Sequence, residues 1–167
     1  VKVIKLNEID NWNFNNRKIN HKSKKFFKIV AIKVKTNFYK KNWDQPIIIQ
    51  NEVGVLGIIK NPVTKKYLLQ AKVEPGNINK LQLAPTVQAT KSNYLKKHGG
   101  KKTLYLDYFL KKNKKIKILS DLRLSEQGTR FFNKKNRNIL IEIQNLKLKK
   151  NKNFIWLSKK ELKFLLK

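Results

Sequence analysis

The spacing of apolar side chains along the chain predicts a fold built mainly from strands. Residues 26–34 (FFKIVAIKV) alternate in their second half and are rich in aromatic and β-branched residues, which is typical of a strand. Residues 47–49 and 53–59 are predicted as two further strands. After a turn, Tyr67–Val73 is predicted to return antiparallel to 53–59, so that the two form a hairpin.

Helical spacing and capping residues predict three helices. Apolar residues at helical spacing indicate an amphipathic helix over 101–111. Ser125 is predicted to cap a short helix that runs to about Phe132. Ser158 followed by Glu161 has the spacing of a capping box, which predicts a C-terminal helix. The apolar face of that last helix is formed by Leu162, Leu165 and Leu166.

The remaining segments are strands or resist assignment. Residues 116–124 and 139–143 are compact apolar runs that predict strands. Residues 81–94 mix small, apolar and amide side chains, as a buried or functional loop would. Gly54 and Gly57 inside a predicted strand indicate a bulge or the close approach of another group to the backbone.

Together these elements predict an α+β fold, with a mixed or antiparallel sheet and flanking helices. The sequence shows no internal repeat and no Gly/Ser-rich linker, and its 167 residues suffice for one core, so one domain is predicted over 1–167. Apolar runs stay below the roughly 20 residues that span a bilayer, and the start lacks a signal-peptide pattern. With no cysteine for disulfides, a soluble, cytoplasmic protein is expected.

Charge is the most unusual feature of the composition. The chain has 40 Lys and Arg against 10 Asp and Glu, a formal net charge of +30. Such a field attracts nucleic acids and membrane surfaces. The Lys residues are scattered along the whole chain, however, rather than gathered in one arm or stripe, which favours compositional drift over a specific nucleic-acid or membrane site. An anionic substrate would be attracted in either case.

Motifs for metals and common cofactors are missing from the sequence. The chain has two histidines, far apart, and its acidic residues form no cluster with the spacing of metal ligands. Neither a Walker loop nor a G-x-G-x-x-G fingerprint is found. We therefore expect no metal and no cofactor.

Three segments are chemically unusual against this background, since they are rich in amides and hydroxyls interleaved with apolar residues. They are residues 45–54 (QPIIIQNEVG), residues 70–94, which begin QAKVEPGN, and residues 125–138, which begin SEQG. The third also contains Arg130 and Arg137, close together in a chain whose cations are nearly all Lys. An Arg side chain offers a planar fork that suits diphosphate recognition, although surface ion pairs are the alternative.

The same segments give the chain its resemblance to a known family. The stretches HKSKKFF from His21, QPIIIQNEVGVLG from Gln45, QAKVEPGNINKLQLAPTVQATKSNY from Gln70, SEQGTRFF from Ser125 and WLS from Trp156 resemble those of the dTDP-4-keto-6-deoxyhexose 2,3-dehydratases of deoxysugar biosynthesis. The similarity covers almost the entire chain in the same order. It implies one repeat of a two-repeat architecture in which each repeat has a Nudix-like fold.

Two departures from the family pattern concern single residues, and one concerns length. Lys24 stands where the family has Gly, and Asn51 stands where it has Pro. The family also joins two related repeats, so this chain is either a single-repeat relative that pairs with another chain or a fragment. The Glu-rich block of Nudix hydrolases is absent from the sequence, which disfavours metal-dependent diphosphate hydrolysis.

The resemblance implies an elimination reaction. A C4 ketone acidifies the C3 proton, a base removes it, hydroxyl leaves C2, and the enol tautomerises to a 3,4-diketo-2,6-dideoxy sugar. Such a site needs a base, a donor to the enolate oxygen and an acid for the departing hydroxyl. A carboxylate is a stronger base when burial raises its pKa, and histidine titrates near neutral pH. The catalytic candidates are Glu74, Glu126, Tyr94, His98 and His21.

A second set of residues is predicted to bind the substrate, a dTDP-linked 4-keto-6-deoxysugar. These residues carry cations for the diphosphate or amides and hydroxyls for the sugars: Lys72, Asn77, Thr86, Gln88, Asn93, Gln127, Arg130 and Arg137. One of the three indoles, Trp12, Trp43 or Trp156, is a candidate to stack on the thymine, with core packing as the alternative for each.

Three hypotheses follow from the sequence. The first is the dehydratase, acting as a homodimer because the resemblance implies paired repeats. The second is a non-catalytic repeat that binds a nucleotide sugar or has a structural role and pairs with another copy. The third is a nucleic-acid binder driven by the net charge.

Overall fold

The computed structural model describes residues 1–37, 41–95, 103–111, 113–143, 148 and 151–165. The chain forms two compact units. Unit 1 contains Val1–Glu52 and Ser125–Lys135, and unit 2 contains Val53–Leu124 and Asn136–Lys167. Each unit is therefore built from an early and a late part of the sequence.

Unit 1 contains a four-stranded antiparallel sheet whose strands follow one another in chain order. The strands are β1 (Trp12–Asn15), β2 (Lys18–His21), β3 (Lys28–Val34) and β4 (Trp43–Ile49). β3 confirms the strand predicted from the alternating apolar residues at 26–34, and β4 confirms and extends the one at 47–49. The long pairing of β3 with β4 runs from Lys28 opposite Ile49 to Val34 opposite Trp43.

A tight turn follows β2 and explains one departure from the family pattern. Lys24 has a φ of +57°, in the left-handed region that glycine enters without a steric penalty. Its backbone N–H donates to the His21 carbonyl at 3.0 Å, which closes the turn. Glycine, which the family pattern has at this position, adopts this conformation without strain, and in this chain Lys24 adopts it.

The late part of unit 1 docks against β4 instead of forming the helix predicted from Ser125. The Ile48 N–H donates to the Arg130 carbonyl at 2.8 Å, and the Phe132 N–H donates to the Ile48 carbonyl at 2.9 Å. Between them Phe131 forms a parallel bridge with Ile48. The helix prediction was wrong because these backbone bonds extend the chain, leaving a single turn closed by the Gln127 carbonyl.

Unit 2 contains the larger, mixed sheet. Its strands are β5 (Gly54–Lys60), β6 (Tyr67–Val73), β7 (Leu81–Pro85), β8 (Val87–Ala89), β9 (Ile116–Ser125), β10 (Lys135–Ile143) and β11 (Phe154–Leu157). The order is β11-β6-β5-β10-β9, with β7 beside β6 and β8 beside β5. β5 and β10 are parallel, whereas β5 and β6 form the predicted antiparallel hairpin. The mixed sheet confirms the predicted α+β class.

In the part of unit 2 that the structure describes, three short helices accompany this sheet: α1 (Lys91–Tyr94), α2 (Asp107–Leu110) and α3 (Lys159–Leu165). The helix predicted over 101–111 is shorter, since Tyr105 has a φ of +62° and cannot continue a right-handed helix; residues 101–102 lie outside the described part. The capping box of α3 is confirmed, because the Ser158 N–H donates to Glu161 Oε2 at 2.6 Å and the Glu161 N–H to Ser158 Oγ at 3.2 Å. No helix of the described ranges has the length and apolar character needed to cross a bilayer.

The core of unit 2 is closely packed around β5. Ile59, Val87 and Ile141 are completely buried. A Cβ atom on Gly57 would lie 2.7 Å from two ring carbons of Phe109, so this glycine lets the α2 side chain rest directly on the strand. The prediction that a group closely approaches the backbone at Gly57 is confirmed.

The unassigned segment 81–94 supplies β7 and β8, which fill the gap where β5 and β6 diverge. Thr86 lies at the corner between the two short strands and is 1% exposed. Its hydroxyl accepts a hydrogen bond from the Ile59 N–H at 3.0 Å and donates to the Leu68 carbonyl. The side chain thus satisfies one backbone group on each of the diverging strands.

Candidate functional site

Unit 1 brings the first and third unusual segments together. Besides the backbone bonds at Ile48, Gln45 Nε2 donates to the Thr129 carbonyl at 2.8 Å, and Trp43 Nε1 donates to Gln45 Oε1 at 2.8 Å. The two motifs, 80 residues apart in sequence, form one surface. We call this surface the platform; it comprises Trp43–Ile49, Glu52 and Ser125–Lys134.

The centre of the platform is a buried lysine that is hydrogen-bonded to the backbone of Glu52 and Glu126. Lys134 is 6% exposed, and its ammonium donates to the Glu52 carbonyl oxygen. The Glu126 N–H donates to the Lys134 carbonyl at 2.9 Å, which holds the two residues side by side. Burial lowers the pKa of Lys134, and the charges of Glu52 and Glu126 act in the opposite direction.

The predicted site residues next to Glu126 lie in the turn of the platform. The Gln127 carbonyl accepts from the Arg130 N–H at 3.0 Å and from the Phe131 N–H at 2.9 Å. Gln127 and Arg130 are exposed. Their side chains are therefore accessible to a solute that approaches the half-buried Glu126.

Of the other catalytic candidates, His21 also lies in unit 1, at the end of β2. Its Nδ1 accepts from the Ser23 N–H at 3.1 Å, so the neutral ring carries its proton on Nε2. The ring packs against Trp12 and Phe26, with ring centroids 5.5 and 4.4 Å away. This aromatic environment accounts for the position of the ring whether or not it transfers protons.

The second unusual segment lies in unit 2, where Lys72, Glu74 and Asn77 form a local cluster. Lys72 Nζ lies 2.6 Å from Glu74 Oε1, and the Glu74 side chain is 46% exposed. The Asn77 N–H donates to the Glu74 carbonyl at 3.0 Å, and Asn77 Nδ2 donates to the Lys72 carbonyl at 3.2 Å. These contacts close the turn after β6. Glu74 is thus an ion-paired residue of an exposed turn.

Arg137, in β10 of unit 2, has a carboxylate partner. Nε and Nη2 donate to the two carboxylate oxygens of Asp121 at 2.8 and 2.6 Å, and Nη1 donates to the Phe109 carbonyl at 3.1 Å. The paired hydrogen bonds lower the pKa of Asp121 and raise that of Arg137. The guanidinium predicted for a diphosphate is therefore occupied within unit 2, whereas that of Arg130 is exposed.

The remaining predicted residues are placed as follows. Gln88 in β8 and Asn93 in α1 are exposed, and Thr86 is used inside the sheet. Tyr94 ends α1, and His98 lies outside the described residues. Trp156 borders a cavity of about 430 Å³ in unit 2, together with Leu68, Tyr105, Asn151, Lys152 and Phe154. Within the described ranges, no group of three or more His, Asp or Glu could hold a metal ion.

Sequence reasoning missed Lys134 and Glu52. Lys134 is one of 40 basic residues, and nothing in its neighbourhood in sequence separates it from the exposed ones. Glu52 belongs to the QPIIIQNEVG motif, which indicated the segment but not the residue. The sequence from Glu126 through the apolar pair Phe131 and Phe132 to Lys134 does not indicate that Lys134 is buried. Its burial is evident only from the structure, in which Phe131 pairs with Ile48.

Comparisons with known proteins agree on one family. The family model described as NDP-hexose 2,3-dehydratase matches residues 1–167. Proteins named dTDP-4-dehydro-6-deoxy-alpha-D-glucopyranose 2,3-dehydratase are 42% identical over 146 residues in Saccharopolyspora spinosa and 40% identical over 152 residues in Amycolatopsis orientalis. These matches cover 84% and 85% of this chain, but 30% and 32% of the relatives. The chain thus spans about a third of the length of the relatives it matches.

A similar protein from Streptomyces violaceoruber, with the same name, is 43% identical over 127 residues, which are 74% of this chain and 29% of that protein. Among solved structures, the "Crystal structure of ADP compounds hydrolase" aligns with a TM-score of 0.41 and 11% identity, over 80% of this chain and 70% of that one. A TM-score this low carries no argument about fold or activity.

Proposed function

Because this chain belongs to the NDP-hexose 2,3-dehydratase family, we propose that it acts in the 2,3-dehydration of a dTDP-linked 4-keto-6-deoxyhexose. The names of the relatives support the substrate class. The observation that carries the proposal is the platform of unit 1, where two motifs shared with the family are joined by the hydrogen bonds of Ile48 and Gln45, and where Glu126 is half-buried.

Glu126 is the base in this proposal. Its carboxylate takes the proton from C3, which the C4 ketone has acidified, and the electron pair forms the C2–C3 double bond as the C2–O bond breaks. The departing hydroxide takes up a proton and leaves as water. The enol formed at C3 then tautomerises to the 3,4-diketo-2,6-dideoxy sugar. The oxidation state of the sugar as a whole does not change, so the step consumes no external reductant.

Arg130 and Gln127 bind the substrate beside this base. The exposed guanidinium of Arg130 suits the negative diphosphate, since its fork can donate two parallel hydrogen bonds. The net charge of +30 favours encounter with any such anion. Glu74, His21, Tyr94 and His98 remain alternative proton-transfer groups. Lys72, Asn77, Gln88, Asn93 and Arg137 remain predicted substrate ligands, and Trp156 remains the indole that borders a cavity.

We further propose that the chain is one repeat over residues 1–167, that it works as a homodimer, and that it is cytoplasmic. The described part of β9 supports association, because this strand ends the order of the larger sheet and exposes Ile118, Leu122 and Leu124. The net charge opposes association, since two copies repel each other. A homodimer should therefore be favoured by added salt.

The test is incubation with dTDP-4-keto-6-deoxyglucose, with mass spectrometry of the sugar nucleotide and light scattering of the protein at low and high salt. The expected result is loss of one water from the substrate and a dimer that strengthens with salt. Tight binding of the sugar nucleotide without water loss would instead support the non-catalytic repeat. Salt-resistant retention of DNA or RNA in filter binding would support the nucleic-acid binder.

A further inference from the structure

The cavity of about 430 Å³ in unit 2 has an aromatic floor, which is formed by β11 at one end of the larger sheet. Phe154 and Trp156 are two residues apart in this strand, so their side chains lie on the same face of the sheet. Leu68 is opposite Trp156 in the antiparallel pairing of β11 with β6 and completes the floor. Both aromatic residues are only half-buried, so each ring keeps some exposed surface.

Tyr105 borders the same cavity in a backbone conformation that an aromatic residue rarely adopts. Its φ is +62°, in the left-handed region. Its ring packs edge-on against Phe154, with the ring centroids 4.9 Å apart and an angle of 89° between the ring planes. Strained backbone of this kind is concentrated at ligand sites, where the surrounding structure maintains it. The strained residue places a second aromatic plane at right angles to that of Phe154.

Lys152 adds a positive charge at the border of the cavity, in the turn that leads into β11. Two hydrogen bonds fix this turn, since the Asn153 N–H donates to Asn151 Oδ1 at 2.9 Å and the Phe154 N–H donates to the Asn151 carbonyl at 3.0 Å. Lys152 is exposed and forms no ion pair with the residues that the structure describes. Its ammonium is therefore accessible to an anion in solution, and the net charge of +30 favours the approach of one.

A planar ring joined to an anionic group would match both features of the cavity. Nucleobases stack on aromatic side chains, and phosphates attract ammonium groups. The volume lies at the lower end of the range of about 300–1,000 Å³ for small-molecule sites, which favours one base over a whole sugar nucleotide. We propose that this cavity binds the base of a nucleoside diphosphate, with Trp156 stacking on the base and Lys152 facing the phosphates.

The inference goes beyond the proposed function, because a repeat without dehydratase activity would bind a nucleotide in the same way. If Trp156 had only a structural role, its replacement would lower the stability of unit 2 without a selective effect on binding. Three probes separate the two parts of the ligand. dTDP has both base and phosphates, thymidine has the base without phosphates, and inorganic pyrophosphate has phosphates without a base.

The experiment is calorimetric titration of the wild-type chain and the variants Trp156→Leu, Trp156→Phe and Lys152→Met with each probe. Ile155→Ala is the matched control for the indole, because Ile155 is the adjacent, exposed residue of β11, and Lys159→Met is the control for the charge. We expect Trp156→Leu to weaken the binding of dTDP and thymidine by about 10- to 100-fold through loss of stacking, and Trp156→Phe by less than about fivefold.

Lys152→Met should weaken the binding of dTDP and pyrophosphate by about two- to fivefold at low salt and leave thymidine unaffected. The loss should shrink at high salt, where the charge of Lys152 is screened. Neither control should change the binding of any probe. Displacement of dTDP by dTDP-4-keto-6-deoxyglucose would identify the natural ligand as the sugar nucleotide, and lack of displacement would identify it as a free nucleotide.

Thermal unfolding of each variant identifies those that fold. Folded Trp156→Leu with wild-type affinity and stoichiometry for dTDP would overturn the inference, as would a wild-type chain that binds no dTDP. Where Trp156→Leu does not fold, unchanged dTDP binding in Lys152→Met at low salt would overturn it. Dehydration by wild type beside unchanged dTDP binding in Trp156→Leu would refute this inference and leave the proposed function intact. The expected binding results without dehydration by wild type would instead refute the proposed function.

Discussion

The two units differ in the kinds of side chain that they bury. In unit 2, apolar side chains from β5, β6, β8, α2 and β10 form a continuous buried cluster. In the described part of unit 1, the buried residues are one isoleucine and one lysine. Apolar burial contributes about 25 cal/mol per Å², so stability arises mainly in unit 2, whereas burying an ammonium, as unit 1 does, costs stability unless hydrogen bonds and opposite charges compensate it.

The same contrast separates two glutamates that the sequence could not rank. Glu74 and Glu126 both lie in long family motifs. Glu74 is 46% exposed in a turn of unit 2 and pairs with the partly exposed Lys72, whereas Glu126 is half-buried and its N–H donates to the carbonyl of the buried Lys134. Membership of a family motif therefore identifies candidate residues, and their burial distinguishes one candidate from another.

The largest expected effect is on activity. Glu126→Gln should lower kcat for dehydration by about 10³-fold, within the range for loss of a general base, because the amide cannot accept the C3 proton. The matched variant Glu74→Gln should change kcat by less than about 10-fold. Initial rates of water loss, measured by mass spectrometry, check both. If Glu74→Gln lowered kcat more than Glu126→Gln, the base would instead be Glu74, in the turn after β6.

A smaller effect is expected on the stability of unit 2. Gly57→Ala places a methyl group against three carbons of the Phe109 ring, with Cδ1 and Cζ at 2.7 Å and Cε1 nearer still, and overpacking of this kind costs about 1–3 kcal/mol. Gly76→Ala is the control, since a Cβ there meets no atom within 4 Å. Urea unfolding should show a lower midpoint for Gly57→Ala alone. An unchanged midpoint would mean that the core yields to the added methyl group.

The smallest effect concerns the pair of Asp121 with Arg137. The pKa of Asp121 is lowered in the folded chain, so its pair with Arg137 stabilises the fold at pH values above the ordinary carboxyl pKa of 3.8. This stabilisation is lost as the pH falls below 3.8 and through the lowered pKa of the folded chain. With both side chains about a third exposed, we expect about 0.2–1 kcal/mol. Asp121→Asn should be less stable than wild type at pH 7 and equal to it near the acid limit, by urea unfolding.

The control for this pair is Asp44→Asn, which removes an exposed carboxylate of unit 1. Its stability should match that of wild type across the same range of pH. A difference between wild type and Asp121→Asn that persists unchanged in acid would show that the bonds of Arg137, rather than the charge of Asp121, hold this part of β10.

Most strands could be predicted from the sequence because their patterns are local. The hairpin of β5 and β6, the strands β3 and β9, and the capping box of α3 depend on side chains that are neighbours in the chain. β7 and β8 were missed because each is short and they meet at Thr86, whose hydroxyl takes the place of two backbone partners. Nothing in the sequence around Thr86 predicts that its hydroxyl bonds to two backbone groups.

Errors arose where distant residues decide the conformation. Ser125 has the features of a helix cap, but the bridge between Ile48 and Phe131 draws the following residues out into an extended path. The platform was predictable in part, since the motifs around Gln45 and Glu126 were both recognised as unusual. The buried Lys134 was not, because its burial depends on the same distant bridge.

The interleaving of the two units along the chain determines when the protein can fold. In unit 2, the Gly54 N–H reaches Asn136 Oδ1, and in unit 1 the Lys134 ammonium reaches the Glu52 carbonyl; each contact spans 82 residues. Such non-local closure is slow, because a long loop must be ordered before either contact forms. During synthesis on the ribosome, one edge each of β4 and β5 therefore stays unpaired until the segment with Phe131 and β10 has emerged, and in that interval these edges need protection from aggregation.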